Sequence, residues 1–140
     1  MLKLKIPNNI FEQMLQQARL EAPIEACGML AGKDGVVEKF YKMTNSDQSS
    51  VHFMMAPEEQ FKVVKDIRSD GLEMLAIYHC HPESPARPSA EDIRLAFTPD
   101  VVYVIVSLQN TEPAIKGFLI EDNSVTEVPV KIKGSSNNCF

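Results

Sequence analysis

The 140-residue chain is 44% hydrophobic, ample for one globular core and short for two, so a single domain is expected. A net charge of −5, with Lys and Arg scattered rather than clustered, argues against nucleic acid as a partner. The start of the chain lacks the apolar core of a signal peptide, and no later run nears membrane-spanning length. Three cysteines without a CxxC pair (Cys27, Cys80 and Cys139) argue against a disulfide framework or cysteine zinc knuckle and fit a reducing cytoplasm.

Leu2, Leu4 and Ile6 alternate with Lys3 and Lys5, which predicts an opening strand with one buried face. Ile10, Met14, Leu15 and Ala18 then recur at helical spacing, with Glu12, Gln16, Gln17 and Arg19 outward, so a helix is expected over residues 9–21 and ends at Pro23. The next strand is built of small and apolar residues. Cys27, Gly28, Ala31 and Gly32 suggest close backbone approach to a neighbour, Cys27 itself reading as a packed thiol. Glu25 stands at its mouth; taken alone it reads as a solvated glutamate. Asp34-Gly35 supplies a hairpin turn into a return strand over 36–41.

A polar loop over 44–50 leads to a short predicted strand at 51–55, where His52 reads as an exposed or hydrogen-bonded position and is left out of any site. Pro57-Glu58-Glu59 opens a second helix, with Phe61, Val64 and Ile67 as its buried face and Gly71 as its stop. Strands follow at 72–78, at 101–106 (an apolar run suited to cover on both faces), at 114–120 and, after an Asp122-Asn123 turn, at 125–132. Residues 134–140 read as a flexible tail. The fold class is α/β, a mostly antiparallel mixed sheet packed with helices.

The chemistry concentrates in residues 78–92, Tyr-His-Cys-His-Pro-Glu-Ser-Pro-Ala-Arg-Pro-Ser-Ala-Glu-Asp. Alternation at a strand end turns His79 and His81 to one face and Cys80 to the other. Pro82, Pro85 and Pro88 forbid regular structure, and Ser89 to Asp92 marks a helix start running to Phe97, so the loop can fold Asp92 back toward the imidazoles. Two nitrogens, one carboxylate oxygen and an open fourth position make a catalytic rather than a structural zinc site. Asp92 also suits a capping box with Ser89, but a cap accounts for neither histidine.

With Glu25 upstream, the order Glu, His-x-His-Pro, then Pro-Ser-x-x-Asp, with ten residues between His81 and Asp92, resembles the JAMM motif of the JAB1/MPN/Mov34 metalloenzyme family. The segment Pro23-x-Glu25-x-Cys27-Gly28-x-Leu30-x-Gly32 stands in its expected place, and the likeness is to the small prokaryotic members. The resemblance implies an MPN-like (cytidine-deaminase-like) fold over residues 1–133, zinc held by His79, His81 and Asp92, Glu25 as general base, and Ser89 as donor to the oxyanion. Cys80 stands where many relatives carry serine. Alternation turns it from the metal, which disfavours a cysteine nucleophile.

The implied activity is hydrolysis of a peptide or isopeptide bond after the C-terminal tail of a ubiquitin-like or sulfur-carrier protein, with the tail paired to an exposed sheet edge. The alternatives are a non-catalytic MPN scaffold, which would not need the full ligand set, and nucleobase deamination, whose His-x-Glu and Pro-Cys-x-x-Cys signature is absent.

Overall fold

The computed structural model describes residues 3–134. Strands β1 (Leu4–Pro7), β2 (Cys27–Lys33), β3 (Val36–Met43), β4 (Glu73–His81), β5 (Val102–Ser107), β6 (Ala114–Glu121), β7 (Ser124–Val128) and β8 (Val130–Lys133) alternate with helices α1 (Asn8–Glu21), α2 (Pro57–Ser69) and α3 (Ala90–Arg94). All eight strands join one sheet in the order β7-β6-β5-β4-β2-β3-β1-β8. Pairings β2–β3, β2–β4, β5–β6 and β6–β7 are antiparallel; β1–β3, β1–β8 and β4–β5 are parallel. The α/β class with a mostly antiparallel mixed sheet is therefore observed.

The two faces of the sheet carry different cores. α1 lays Ile10, Met14 and Leu15 against Leu30, Ala76, Tyr78, Val104 and Val106, and the Tyr78 hydroxyl donates to Met14 O at 3.1 Å. Met29, Ile77, Tyr103 and Ile105 face the other way with Met55 and Phe118. Because side chains on β4 alternate, Cys80 joins Ala18 and Ala26 on the helix side, and His79 and His81 project from the opposite face. β5 is buried along its whole length, as its apolar run predicts.

Local chemistry explains most element boundaries. Asp34 and Gly35, both at positive φ, turn β2 into β3, and Asp122 and Asn123 do the same between β6 and β7. α2 stops at Gly71 (φ +70°), where Gly71 N–H donates to Arg68 O and Leu72 N–H to Ile67 O in a Schellman arrangement. Gly28 and Gly32 are the predicted close approaches: a Cβ on Gly28 would lie 2.6 Å from Tyr41 O, and one on Gly32 only 1.9 Å from Val36 O.

Several expectations fail, each for a physical reason. Gln17 is buried rather than outward; it follows Met14 by three residues, which is the inward stripe of α1. Its amide donates to Cys27 O at 2.9 Å. Residues 51–55 are not a strand, because their backbone is held chiefly by the side chains of Asn45, Ser46 and Ser49, with one backbone bond from Ser46 N–H to Met54 O, instead of a ladder. Phe61 is 68% exposed, and only Ile67 of α2 is fully buried. The helix after Ser89 stops at Arg94 rather than Phe97.

The expected last strand is two strands. Pro129 has no N–H for a ladder, and the chain bends there from β7 at one end of the strand order to β8 at the other. One residue thus joins the two ends, so the sheet must curl until they meet. Gly117 permits this closure, since a Cβ there would lie 2.7 Å from Val130 Cγ2. Met1 and Leu2 of the predicted first strand, Cys139, and all of the predicted tail except Gly134 lie outside the described residues.

Gly32→Ala forces the β2–β3 hairpin apart at backbone atoms that cannot yield. It should destabilise the protein by about 2–3 kcal/mol, read as a lower urea midpoint at unchanged slope.

Candidate metal centre

β2 and β4 pair antiparallel with Cys27 opposite His79. Continued two residues outward, that register sets Glu25 opposite His81, and Cys80 N–H donating to Ala26 O at 2.9 Å extends the pairing to this point. Glu25 thereby comes onto the same face as the imidazoles, although 53 residues lie between it and His79. It is 3% exposed, with its backbone N–H on Ser49 O at 2.8 Å. Glu25, His79 and His81 each offer a donor atom within 4.8 Å of one another, a group able to hold a metal ion.

The loop after β4 brings in the fourth residue. Asp92 Oδ2 lies 3.3 Å from His79 Nε2 and 3.1 Å from His81 Nε2, and the two nitrogens are themselves 3.1 Å apart. The same oxygen accepts from Ser89 N–H at 2.9 Å, and Ser89 Oγ accepts from Asp92 N–H at 3.0 Å. The capping box and the carboxylate beside the histidines are one structure. Ser89 uses a lone pair of its hydroxyl in the cap, leaving the O–H to donate elsewhere.

The second nitrogens of the two rings have different surroundings. His81 Nδ1 sits 2.8 Å from Pro85 O, so it carries the hydrogen and leaves Nε2 with a lone pair facing Asp92. Among the described residues, His79 Nδ1 is buried without a partner, as is Glu25 Oε1. Instead the ring of Phe53 stacks on His79, centroids 4.6 Å apart and planes 25° off parallel. Beyond it lies a cavity of about 220 Å³ floored by Ile77, Tyr103 and Ile105 and reaching His79 and Asp92.

Burial sets the electrostatics. It pushes Glu25 up from 4.5 to about 8, against the pull of His81 and with the help of Asp92. It also pushes His79 down, outweighing the Asp92 hydrogen bond. For His81 burial acts downward too, but the protonated ring can donate to both Asp92 and Pro85 O, and these bonds with the fields of Asp92 and Glu25 raise it. Asp92 would rise on burial, yet its hydrogen bonds with His79 and His81 hold it well below the usual carboxylate range. Burial raises Cys80 to about 12, and its side chain faces away, so it supplies no thiolate here.

The chain matches the family model described as prokaryotic homologs of the JAB domain over residues 7–118. It belongs to that family. It is 35% identical over 132 residues to the CysO-cysteine peptidase of Mycobacterium tuberculosis, covering 92% of this chain and 90% of that one. A protein named desampylase from Pyrococcus furiosus is 30% identical over 129 residues, covering 91% and 89%. The solution structure of protein DSY2949 from Desulfitobacterium hafniense superposes with a TM-score of 0.85 at 46% identity, covering 93% and 92%.

Two residues of this JAB domain's site were not legible in the sequence. Asn45 reads as one polar loop residue among several, and Phe53 as ordinary strand filler; nothing local marks either. His52, left out of the site, hydrogen-bonds Asp47 at 3.0 Å and borders the cavity.

The folded-state value of Glu25 near 8, above its usual 4.5, means that stability from the protonated acid is intact below about pH 4.5 and is lost as pH rises through about 8. In chelator-treated protein, Glu25→Gln should therefore raise Tm, by a margin that widens between pH 5 and pH 8. Melting curves of both proteins across that range provide the check.

Proposed function

We propose that the chain is a zinc-dependent peptidase that cleaves the bond between the C-terminal tail of a ubiquitin-like or sulfur-carrier protein and an amine, in a reducing cytoplasm. The reading is carried by the spacing of three donors. A tetrahedral zinc ion with bonds of about 2.0–2.1 Å separates neighbouring ligand atoms by roughly 3.3 Å. His79 Nε2, His81 Nε2 and Asp92 Oδ2 are spaced at 3.1, 3.1 and 3.3 Å, so these three would hold the ion and leave its fourth position free. Zinc at such a site acts as a Lewis acid toward a carbonyl and lowers the pKa of water from about 15.7 to about 7.

The residues around it divide the remaining work. Glu25, buried and with Oε1 unpartnered among the described residues, takes the proton of the attacking water and returns it to the leaving amine. The Ser89 O–H donates to the carbonyl oxygen as charge gathers there. Pro85 O keeps His81 in the tautomer that presents Nε2.

A sheet edge beside the histidines is not available for the substrate tail, because β2 and β5 occupy both sides of β4. The irregular segment 51–56 takes that role. Its Phe53 N–H and C=O make no hydrogen bond among the described residues, while the Phe53 ring lies on His79. Relatives named CysO-cysteine peptidase and desampylase support a carrier-protein conjugate as the substrate class. A non-catalytic scaffold would have no use for a buried, unpaired glutamate beside three metal donors.

Metal-loaded protein incubated with carrier conjugates should release the carrier ending at its terminal glycine, as mass analysis of the products would show. Chelation should abolish the reaction and added zinc restore it. Glu25→Gln should bind zinc normally and lose about a hundred- to ten-thousand-fold in kcat. Ser89→Ala should lose about a hundred- to a thousand-fold, with Ser89→Thr recovering part of it. Unchanged hydrolysis by Glu25→Gln would remove this residue from the mechanism.

A further inference from the structure

His79 is held in an unusual way for a metal-binding histidine. Such rings ordinarily donate their second nitrogen to a carboxylate or carbonyl, which fixes ring orientation. Here Nδ1 is buried with no acceptor among the described residues, and the stacked Phe53 ring does the orienting. Phe53 itself belongs to no helix or strand, and its own N–H and C=O are unpaired among the described residues. Besides its packing on the Ile77 and Ile105 side of the core, its position is set by its neighbours. Ser46 and Ser49 bond one end of each, and Asn45 alone bonds both: Asn45 Nδ2 donates to His52 O at 3.0 Å, and Asn45 Oδ1 accepts from Met54 N–H at 3.2 Å.

The same amide reaches the proton carrier. Asn45 Nδ2 donates to Glu25 O at 3.0 Å and approaches Ser49 O at 3.3 Å, the carbonyl that also receives Glu25 N–H. Asn45 is 2% exposed, and its donors and acceptors are fully used, since Oδ1 also takes Asp47 N–H at 3.1 Å. Nδ2 faces only carbonyls and Oδ1 only N–H groups, so neither aspartate nor leucine can replace it.

We propose that Asn45 is a positioning residue whose single buried amide ties the backbone of Glu25 to the segment that braces His79 with Phe53, so that proton carrier and metal ligand keep one fixed relation. The metal-ligand and proton-carrier roles rest on the functional reading above; the mechanical link between Asn45, Phe53 and the His79 ring does not.

The test uses the full chain and the variants Asn45→Ala, Phe53→Ala and their combination, with Asn45→Ser measured alongside because its hydroxyl keeps one acceptor should the alanine variant fail to fold. In metal-free protein, the His79 ring protons carry the ring-current shift of Phe53, and Asn45→Ala should move their NMR resonances toward those of Phe53→Ala. Zinc affinity, measured by competition with a chromogenic chelator, should fall by about 10- to 100-fold in Asn45→Ala and in Phe53→Ala. The double variant should match Asn45→Ala within about twofold, because the brace is already lost. At saturating zinc, Asn45→Ala should also lower kcat with little change in KM, through displacement of Glu25. A folded Asn45 variant with wild-type His79 resonances, wild-type zinc affinity or fully additive losses overturns the proposal. A wild-type protein that neither binds zinc nor cleaves a conjugate overturns the functional reading instead, and the NMR comparison still decides the mechanical link.

Discussion

The pairing register of β2 on β4 is the constraint from which the site follows. Side chains on a strand alternate with a period of two, so a slip of one residue would send His79 and His81 into the α1 core and bring Cys80 out. The register is locked from both sides: Gly28 and Gly32 admit no side chain between β2 and β3, and Tyr78 is anchored on α1 through Met14 O. With Cys27 opposite His79, Glu25 has one place to go. The curled sheet, closed through Pro129, supports this central pair without taking part in its chemistry.

Around that pair the protein gathers four titratable side chains out of water. Two carboxylates and two imidazoles at these distances stabilise a cation and otherwise oppose burial, which is why Glu25 is driven toward its neutral form and Asp92 is kept ionised by its two histidines and the Ser89 N–H. The arrangement spares the usual cost of orienting an acid, because Asp92 is also the third residue of a capping box. One oxygen satisfies the orphan N–H of a helix start and stands as a donor beside the rings. Helix initiation and site assembly are then the same event.

The segment between β3 and α2 works by a different principle. A ladder would have consumed the backbone groups of residues 51–55, but side-chain amides and hydroxyls hold alternate residues and leave Phe53 free. Side-chain tethering of this kind leaves the Phe53 N–H and C=O unpaired among the described residues. It also explains why the strand pattern there misleads: Val51, Phe53 and Met55 have the right alternation, and Asn45 captures the backbone first.

The amino-acid sequence by itself determined the nearest-neighbour features. Those were the strand and helix order outside residues 51–55 and the break at Pro129, the Asp34-Gly35 and Gly71 turns, the common face of His79 and His81, and the cap of Ser89 with Asp92, because each follows from steric rules acting over a few residues. The fragment around Glu25 carried its meaning only through family resemblance, since an isolated glutamate has no local signature. Tertiary structure alone decided which distant groups meet: Glu25 with His81 through strand register, Phe53 with His79 through a tethered loop, and β1 with β8 at the end of the sheet. Such contacts depend on how the chain curves and packs in three dimensions, and the periodicity of a single strand or helix carries no information about that.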